Sequence, residues 1–479
     1  MSWETVVGLE VHVQLNTHTK AFCNDLNEFG SDPNTNISPI TLAHPGTLPR
    51  INKNHILAAI KLGLAFGSEI QPTNYFDRKN YFYPDLPKGY QITQDERPVC
   101  IGGKLEYIMG DGSIRSIRIH HLHMEEDAGK SIHDLSPNET YLDYNRAGVP
   151  LIEIVTEPDL RSSEEVYYFI QTLQQLVRYL GVSDGNMEEG SFRCDCNVSV
   201  KKKSEAKLGE RCEIKNLNSK RFAKAAVEYE AERQIRQLEA GNSIVKTTML
   251  YNPSSGRTYP MRDKEEVNDY RYFNDPDLPA VKINKETIDK LESEIGEIPI
   301  HTYKKIIKSR GVKHDDAMVL IDNRLMLYLF NKLIKEGFDP QETAQLIVNK
   351  IASHDVYSNV DFEKEKDKVN RLTSFMSLIK NGKVSKSAAY NQLFDKMWEE
   401  MNTPLIKMAE NLHILKEDDQ SFLGDIAKEV VDSFPDKVKA YHNGKKGLIG
   451  FFMGQAMKKS RGKADPKLLQ KEIEAILKS

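Results

Sequence analysis

The amino-acid sequence predicts an α+β protein, in which a domain built on a mixed or antiparallel sheet precedes an all-helical domain and a small helical tail. Short alternating strands, separated by Gly, Pro and Asn turns, dominate roughly the first 290 residues. From about Ile295, amphipathic helices joined by short polar turns replace them. We therefore expect domains at residues 1–292, 293–409 and 410–479.

The opening strand, residues 6–15, alternates strictly between two faces. Its apolar face belongs to a core and consists of Val7, Leu9, Val11, Val13 and Leu15. Its other face carries Gly8, Glu10, His12 and Gln14. That polar face is either a solvated side of an antiparallel sheet or the wall of a site, because a carboxylate beside an imidazole suits metal or phosphate chemistry.

Three later stretches repeat this pattern of one buried and one charged face. The charged faces carry His121, His123, Glu125 and Asp127 in the first stretch, Arg193, Asp195 and Asn197 in the second, and Glu213 and Lys215 in the third. Glu126 falls on the opposite face of its strand or in the following turn. If the four polar faces meet, they enclose a cavity of carboxylates, amides and bases.

Two helices interrupt the strand-rich region. One follows an N-cap at Ser162 or Ser163 and ends at Gly181, and the other runs from Lys220 to Gly241. In the tail, residues 437–467 hold nine Lys and Arg against one acid, Asp465, which favours a polyanionic partner over an ordinary solvated helix face.

Composition limits the class of protein. The 66 basic and 70 acidic residues give a nearly neutral chain, so partner preference must come from local charge. We expect a cytoplasmic protein, because no leader precedes the first strand and no apolar run approaches the roughly 20 residues of a membrane helix. The five cysteines lack C-x-x-C pairs, so buried thiols explain Cys194 and Cys196 better than zinc does.

A cavity of carboxylates needs a cation, because nearby carboxylates repel each other and otherwise take up protons. Mg²⁺ prefers oxygen ligands, which makes Glu10, Glu125 and Glu126 or Asp195 plausible ligands. His12 would be an atypical Mg²⁺ ligand, and it equally suits Mn²⁺ or a role outside the first coordination shell.

The segment at residues 76–94 interleaves Arg78, Lys79 and Lys88 with six aromatic residues in and around it. It fits phosphate-neutralising donors, and core aromatics with basic rims explain it equally well. The sequence contains no Walker motif, no protein-kinase motif set and no G-x-S-x-G elbow, so nucleotide chemistry here would need an unfamiliar framework.

Eight stretches occur together in order across the first 280 or so residues and resemble one known family. They read "GLEVHVQL", "LAHPGTLP", "FDRKNYFYPDLPKGYQI", "HMEEDAGK", "DYNRAGVPLIEIVTEPD", "MEEGSFRCDCNVSV", "EIKNLNS" and "DYRYFNDPDLP". The family is GatB/GatE, which includes the GatB component of the aspartyl/glutamyl-tRNA(Asn/Gln) amidotransferase GatCAB. The basic tail extends the likeness over essentially the whole chain. One departure, Asn274 where Pro is usual, lies in a predicted turn that either residue suits.

This resemblance implies a cradle domain with a kinase-like site, a helical domain, and a tail domain that binds tRNA. It also implies that, with Mg²⁺ and ATP, the side-chain carboxylate of Glu-tRNA(Gln) or Asp-tRNA(Asn) is phosphorylated. Ammonia from the amidase-type GatA component then displaces phosphate, and the small GatC component completes the heterotrimer. The Mg²⁺ ligands would be Glu10, His12, Glu125 and Glu126.

The remaining candidate residues take roles around that metal. Arg193, Asp195, Asn197 and Lys215 are expected to contact the nucleotide or the acyl phosphate, with Arg193 and Lys215 acting in catalysis. A further group is expected to order the aminoacyl end or line the ammonia path, and it comprises Lys79, Tyr81, Tyr83 and Lys88. Two alternatives stay open, a non-catalytic tRNA-binding scaffold and a stand-alone ligase that uses free ammonia.

Overall fold

The computed structural model describes residues 2–133, 135–136, 138–261, 269–354, 357, 360–416, 420–460, 464 and 466–478. The chain divides into two compact units, Met1–Lys305 and Ile306–Ser479. The strand-rich first unit and the helical second unit confirm the predicted α+β class. The domain boundaries after residues 292 and 409 stay predictions.

The first unit contains all the described strands. They are β1 (Trp3–Gln14), β2 (Glu69–Ile70), β3 (Thr73–Asn74), β4 (Asp77–Asn80), β5 (Tyr90–Thr93), β6 (Cys100–Ile101), β7 (Lys104–Ile108), β8 (Ile114–Glu126), β9 (Lys130–Ile132), β10 (Tyr141–Asp143), β11 (Pro150–Thr156), β12 (Phe192–Lys202), β13 (Cys212–Lys215), β14 (Thr248–Asn252), β15 (Arg257–Pro260), β16 (Phe273–Asn274) and β17 (Val281–Lys282).

Ten of these strands form one sheet in the order β15-β14-β13-β12-β1-β11-β8-β6-β2, with β7 paired to β8. The β13–β14 pair is parallel and its neighbours are antiparallel, so the sheet is mixed. The opening strand β1 lies at its centre, between β11 and β12. This central position brings residues from distant parts of the chain beside Glu10 and His12.

One face of the large sheet is apolar and covered by helices, as the alternation predicts. Val7, Val11 and Val13 are fully buried, and the cysteines of β12 are buried with free thiols, which confirms the expectation for them. Helix α1 (Lys53–Phe66) packs on β8, α2 (Ser163–Tyr179) on β7, and α3 (Lys220–Glu239) on β12. Burial of these side chains leaves the opposite, polar face to form a site.

The predicted ends of α2 and α3 are confirmed by their caps. Ser162 Oγ accepts a hydrogen bond from the Glu165 amide, and Ser219 Oγ accepts one from the Phe222 amide. Gly181 and Gly241 follow the two helices with positive φ angles of 66° and 83°. Both helices therefore begin and end where their capping residues satisfy or release the backbone.

Three smaller sheets complete the strands of the first unit. They have the orders β16-β4-β5, β10-β9 and β17-β3. The first brings the basic and aromatic segment of β4 beside Phe273, nearly 200 residues later in the chain. Helices α4 (Lys285–Ile295) and α5 (Pro299–Arg310) close this part of the chain, with α5 extending past Lys305.

The described second unit is helical. Its α-helices are α6 (His314–Asp322), α7 (Arg324–Lys335), α8 (Pro340–Leu346), α9 (Lys366–Lys380), α10 (Lys386–Ala388), α11 (Lys396–Glu399), α12 (Leu405–Asn411), α13 (Gln420–Asp432), α14 (Pro435–His442), α15 (Ile449–Lys459) and α16 (Pro466–Lys478). Two π-helical turns at Ile347–Ala352 and Ala389–Leu393 and a 3₁₀ turn at Lys446–Leu448 complete them.

The tail helices α13–α16 share a hydrophobic core of their own, which includes Leu423, Phe452 and Ile473. Arg461, Lys463 and Asp465, which belong to the predicted basic stretch, lie outside the described residues. Among the helices that are described, none is long and apolar enough to cross a membrane.

Candidate active site on the polar face of the sheet

Three adjacent strands bring two imidazoles and two carboxylates together on the polar face. The strand register places His12 of β1 opposite Glu153 of β11, and Glu153 opposite His123 of β8. Glu125 lies one step further along β8, opposite Leu151. Because side chains at matched register positions point to the same face, these four side chains converge.

Glu153 is the centre of this cluster. Its Oε2 atom lies 3.3 Å from Nε2 of His12 and 3.3 Å from Nε2 of His123. Glu125 spans the same two rings, with Oε1 3.4 Å from His12 and Oε2 3.8 Å from His123. Each carboxylate therefore contacts both imidazoles.

Burial and charge oppose each other in the cluster. Burial favours the neutral imidazole of His123, but its hydrogen bonds to Glu125 and Glu153 outweigh burial and raise its pKa to about 10. The pKa of His12 is raised in the same way, since burial acts against its hydrogen bond with Glu153. Burial would raise the pKa of Glu153, whereas the two imidazoles hold it well below its usual range.

The donor set of the cluster fits a divalent cation. His12, Glu125 and Glu153 each offer one ligand atom, and these atoms lie within 4.8 Å of one another. A cation there would take over the neutralisation that the imidazoles otherwise supply. Carboxylate oxygens suit Mg²⁺, and the imidazole broadens the range of metals to Mn²⁺.

The structure brings some predicted metal ligands into this cluster and places others beside it. His12 and Glu125 are members. Glu10, on the same face, accepts a hydrogen bond from Asn197 Nδ2 at 2.9 Å, and burial and the charge of Glu153 raise its pKa. Glu126 occupies the opposite face of β8, where its carboxylate pairs with Lys88 and accepts the Ile92 amide at 2.9 Å.

Sequence reasoning missed Glu153. It lies in "PLIEIVT", an otherwise apolar strand in the middle of the sheet, where Ile152 and Ile154 are fully buried. A single carboxylate in such a strand was the available signal, because a central strand rarely carries a charge without a partner.

A network of charges extends the site along β12 and β13. Arg193, opposite His12, donates to Asp127 Oδ2 at 2.9 Å, and Gln14 Nε2 donates to the same oxygen at 2.6 Å. Burial would raise the pKa of Asp127, but the charges of Arg193 and Arg146 hold it below the usual value. The Nε atom of Arg193 is buried and has no hydrogen-bond partner among the described residues.

Lys215 continues the network towards the edge of the face. Its ammonium lies 3.0 Å from Asp195 and 3.0 Å from Glu213. Burial would lower the pKa of Lys215, but these two carboxylates raise it above its usual value. The predicted residues Arg193, Asp195, Asn197 and Lys215 therefore lie on one surface with the cluster.

A cleft of about 410 Å³ opens on the same face, beyond Glu10. Its floor consists of Gly8 and Glu10 from β1 and Asn197 and Ser199 from β12. Its walls include Val6, Val155, Pro158, Leu208, Arg211 and Lys246. The cleft combines apolar walls with two exposed cations, beside the carboxylates of the cluster.

The other predicted residues cluster on β4, β5 and the loop between them. Tyr81 Oη donates to Gln91 Oε1 at 3.3 Å, and Gln91 Nε2 donates to the Glu126 carbonyl at 2.7 Å. Lys79 lies over the ring of Tyr270, with Nζ 4.9 Å from the ring centre. Tyr81 is thereby linked to the backbone beside Glu125, while Tyr83 is more than half exposed.

Comparison with known proteins identifies the family. A model of the GatB/GatE catalytic domain matches residues 5–289, and a model of the GatB domain matches residues 328–477. The chain belongs to the GatB/GatE family. The catalytic-domain match contains all the strands and side chains of the polar face described above.

Curated relatives match the chain from end to end, and all are B subunits of aspartyl/glutamyl-tRNA(Asn/Gln) amidotransferases. The relative from Thermodesulfovibrio yellowstonii is 42% identical over 478 residues, which is 100% of both chains. The relative from Persephonella marina is 41% identical over 479 residues, again 100% of both chains. That from Wolbachia pipientis is 43% identical over 465 residues, 97% of each. These matches confirm the resemblance seen in the sequence.

Proposed function

We propose that this chain is the component of a glutamine-dependent tRNA amidotransferase that phosphorylates and then amidates a mischarged aminoacyl-tRNA. The substrate is Glu-tRNA(Gln), Asp-tRNA(Asn) or both, and the products supply translation in the cytoplasm. The observation that carries the proposal is the cluster of His12, Glu125 and Glu153 beside the cleft at Glu10. Membership of the GatB/GatE family supports the reaction class.

His12, Glu125 and Glu153 are the proposed metal ligands, and Glu10 lies next to them on the same face. Mg²⁺ held there would neutralise negative charge on the phosphates of ATP. Glu126 was predicted as a further ligand, and its pairing with Lys88 on the opposite face supports a different role. We assign it, with Lys88, to the path by which ammonia reaches the site.

The cleft beyond Glu10 is the proposed seat of ATP. Val6, Pro158 and Leu208 offer apolar surface for a nucleobase, while Arg211 and Lys246 offer positive charge for phosphates. Asn197 borders both the cleft and the cluster, because it hydrogen-bonds to Glu10. This placement would direct the γ-phosphate towards the proposed metal ligands.

Two chemical steps follow from this arrangement. In the first, a side-chain carboxylate oxygen of the aminoacyl group attacks the γ-phosphorus of ATP, and ADP leaves. In the second, ammonia attacks the acyl carbon, phosphate leaves and the nitrogen loses a proton. Arg193 and Lys215, held by Asp127 and Asp195, would stabilise negative charge on the transferred phosphoryl group.

The assembly would contain further components. The amidase-type GatA would supply ammonia from glutamine, and the small GatC would complete the heterotrimer. The basic tail helices would contact tRNA phosphates, a contact that weakens with salt and reads little sequence. The names of the curated relatives, which belong to a tRNA-dependent amidotransferase, support these partners.

The test is transfer of label from γ-labelled ATP to Glu-tRNA(Gln), with Mg²⁺ and with GatA and GatC present. We expect label transfer and, after ammonia is added, Gln-tRNA(Gln). Glu125→Ala should abolish the transfer while tRNA affinity stays near normal, because the change removes a metal ligand. Glu232→Gln, on an exposed face of α3, is the control.

Two outcomes would contradict the proposal. Full label transfer in Glu125→Ala would remove the assignment of the cluster as the phosphorylation site. Tight tRNA binding with no transfer in the complete heterotrimer would favour the non-catalytic scaffold instead.

A further inference from the structure

Four tyrosines form a continuous aromatic wall beside the cluster, which we call the tyrosine wall: Tyr81, Tyr83, Tyr270 and Tyr272. The rings of Tyr81 and Tyr83 lie 6.2 Å apart, those of Tyr81 and Tyr270 6.1 Å apart, and those of Tyr270 and Tyr272 6.0 Å apart. All three pairs meet edge to face, a favourable geometry for aromatic rings.

The wall joins two segments that are about 190 residues apart in sequence. Asn80 holds them together, since its side-chain amide donates to the carbonyls of Tyr270 at 3.2 Å and Arg271 at 2.8 Å. Arg271, between Tyr270 and Tyr272, has a φ of +43°, which is unusual for a residue with a Cβ atom. A strained backbone tied down by a side-chain amide indicates a selected geometry at this turn.

The wall stays open to solvent. Tyr83 is 54% exposed and Tyr272 is 39% exposed. Exposed aromatic rings in a row cost solvation free energy, and such a surface usually marks a binding site. The arrangement therefore needs an occupant.

Charge and position identify the occupant. Lys79 places its ammonium 4.9 Å from the centre of the Tyr270 ring, and no carboxylate within the described parts of the chain pairs with it. An aromatic surface with an unpaired cation is the combination that binds single-stranded nucleic acid, through base stacking and phosphate contact. A second protein would not need that cation beside the rings.

The wall also lies within reach of the cluster. Tyr81 is linked through Gln91 to the backbone of Glu126, the residue after Glu125. Burial raises the pKa of Tyr272, and the charges of Glu125 and Glu153 contribute to that rise, which agrees with the short separation. A nucleoside stacked here would hold its attached aminoacyl group near the proposed metal ligands.

We infer that the tyrosine wall stacks the terminal nucleoside of a single-stranded RNA acceptor end, and so positions the aminoacyl group for phosphorylation. This inference rests on the proposed function, because it names the part of the RNA substrate that the same site recognises. Tyr83 and Tyr272 are the exposed members that offer faces to the base, and Lys79 contacts the adjacent phosphate.

The test uses an uncharged tRNA whose terminal adenosine is replaced by 2-aminopurine riboside, with the full chain assembled with GatA and GatC. Stacking on an aromatic ring quenches this fluorophore, so the signal reports the contact without any chemical step. We expect quenching with the unaltered chain and with Tyr83→Phe, which keeps the ring. Tyr83→Leu and Tyr272→Leu should lose most of the quenching.

A second measurement combines these variants with a tRNA that lacks its terminal nucleotide. Removing the nucleotide should weaken binding to the unaltered chain on the order of 10-fold, the usual scale for one stacked base. The same removal should have little effect on Tyr83→Leu if ring and base contact each other. Tyr259→Leu, an exposed tyrosine on β15, is the control and should behave like the unaltered chain.

The outcomes separate this inference from the proposed function. Undiminished quenching in both leucine variants, or equal loss of affinity in all variants when the nucleotide is removed, would overturn the wall as the stacking surface. Label transfer from ATP would be unaffected by that result. Conversely, normal quenching without any label transfer would leave the wall intact and refute the proposed reaction.

Discussion

Glu153 holds the most constrained charge in the first unit, since it is shared between two imidazoles and lies next to a second carboxylate. Its position in the middle of the sheet leaves its oxygen atoms little freedom to move, because β11 is paired on both sides. A rigid carboxylate is well suited to fix a cation relative to a reacting phosphate.

We predict that Glu153→Gln reduces affinity for Mn²⁺ or Mg²⁺ at least 10-fold and reduces phosphoryl transfer in parallel, because an amide oxygen carries no negative charge. Binding of Mn²⁺ can be followed by electron paramagnetic resonance in the absence of tRNA. Glu157→Gln, four residues along the chain, is the control. Unchanged Mn²⁺ affinity in Glu153→Gln would exclude Glu153 as a ligand.

Glu230 is a second buried carboxylate, remote in sequence from the cluster. It is fully buried on α3, and it accepts hydrogen bonds from Arg233, Gln234 and Thr258. Burial would raise its pKa, but these donors and the charge of Arg233 lower it. Its charge therefore stabilises the contact between α3 and β15.

We predict that Glu230→Gln destabilises the first unit by about 2–3 kcal/mol at neutral pH, because Arg233 loses its charged partner. The folded-state pKa of Glu230 lies below its unfolded value, so the stabilisation exists above about pH 4.3 and disappears as the pH falls through the folded pKa. The deficit of the variant should shrink accordingly. Urea unfolding can be followed through Trp3 in a Trp398→Phe background, and a deficit that grows in acid would contradict the argument.

At the scale of elements, close packing of α1 on the sheet depends on Gly63. A Cβ atom at this position would lie 2.4 Å from Cys100 Sγ and 2.8 Å from Ile70 Cδ1. The helix can therefore approach β2 and β6 only because position 63 has no side chain. Gly424, inside α13, has open space where its Cβ would be.

The two glycines predict opposite effects of one substitution. Gly63→Ala should destabilise the first unit by about 1–3 kcal/mol through overpacking. Gly424→Ala should stabilise the tail by up to about 1 kcal/mol, because alanine favours the helix and meets no obstacle. Thermal unfolding followed by circular dichroism measures both, and destabilisation by both substitutions would show that helix propensity does not decide the Gly424 site.

Strand alternation and helix caps gave the elements their faces and ends before the structure was considered. The polar sides of β1, β8, β12 and β13 were predictable because period two assigns each side chain to a face. The strand order was not predictable, since pairing between β1 and β11 joins residues about 140 positions apart without any local signal. Glu153 and the partner of Glu126 were missed for that reason.

At the scale of the whole molecule, the charge distribution divides the work between sheet and tail. Negative charge concentrates on the polar face of the sheet in the first unit, where a cation and basic side chains offset it. Positive charge concentrates in the tail, which has its own hydrophobic core. A tail that carries binding charge on a separate core can lose those charges without disturbing the cluster.

We predict that Lys437, Lys439, Lys445 and Lys446, changed together to Gln, weaken tRNA binding and flatten its salt dependence. Each lost phosphate contact should reduce the slope of log K against log salt by about 0.9. Label transfer at saturating tRNA should stay unchanged, so the loss appears in KM and not in kcat. Fluorescence anisotropy at several salt concentrations gives the slope. Changing Lys364, Lys366 and Lys368 to Gln is the control, and an unchanged slope in the tail variant would mean that the tail's charge contributes to solubility and not to RNA binding.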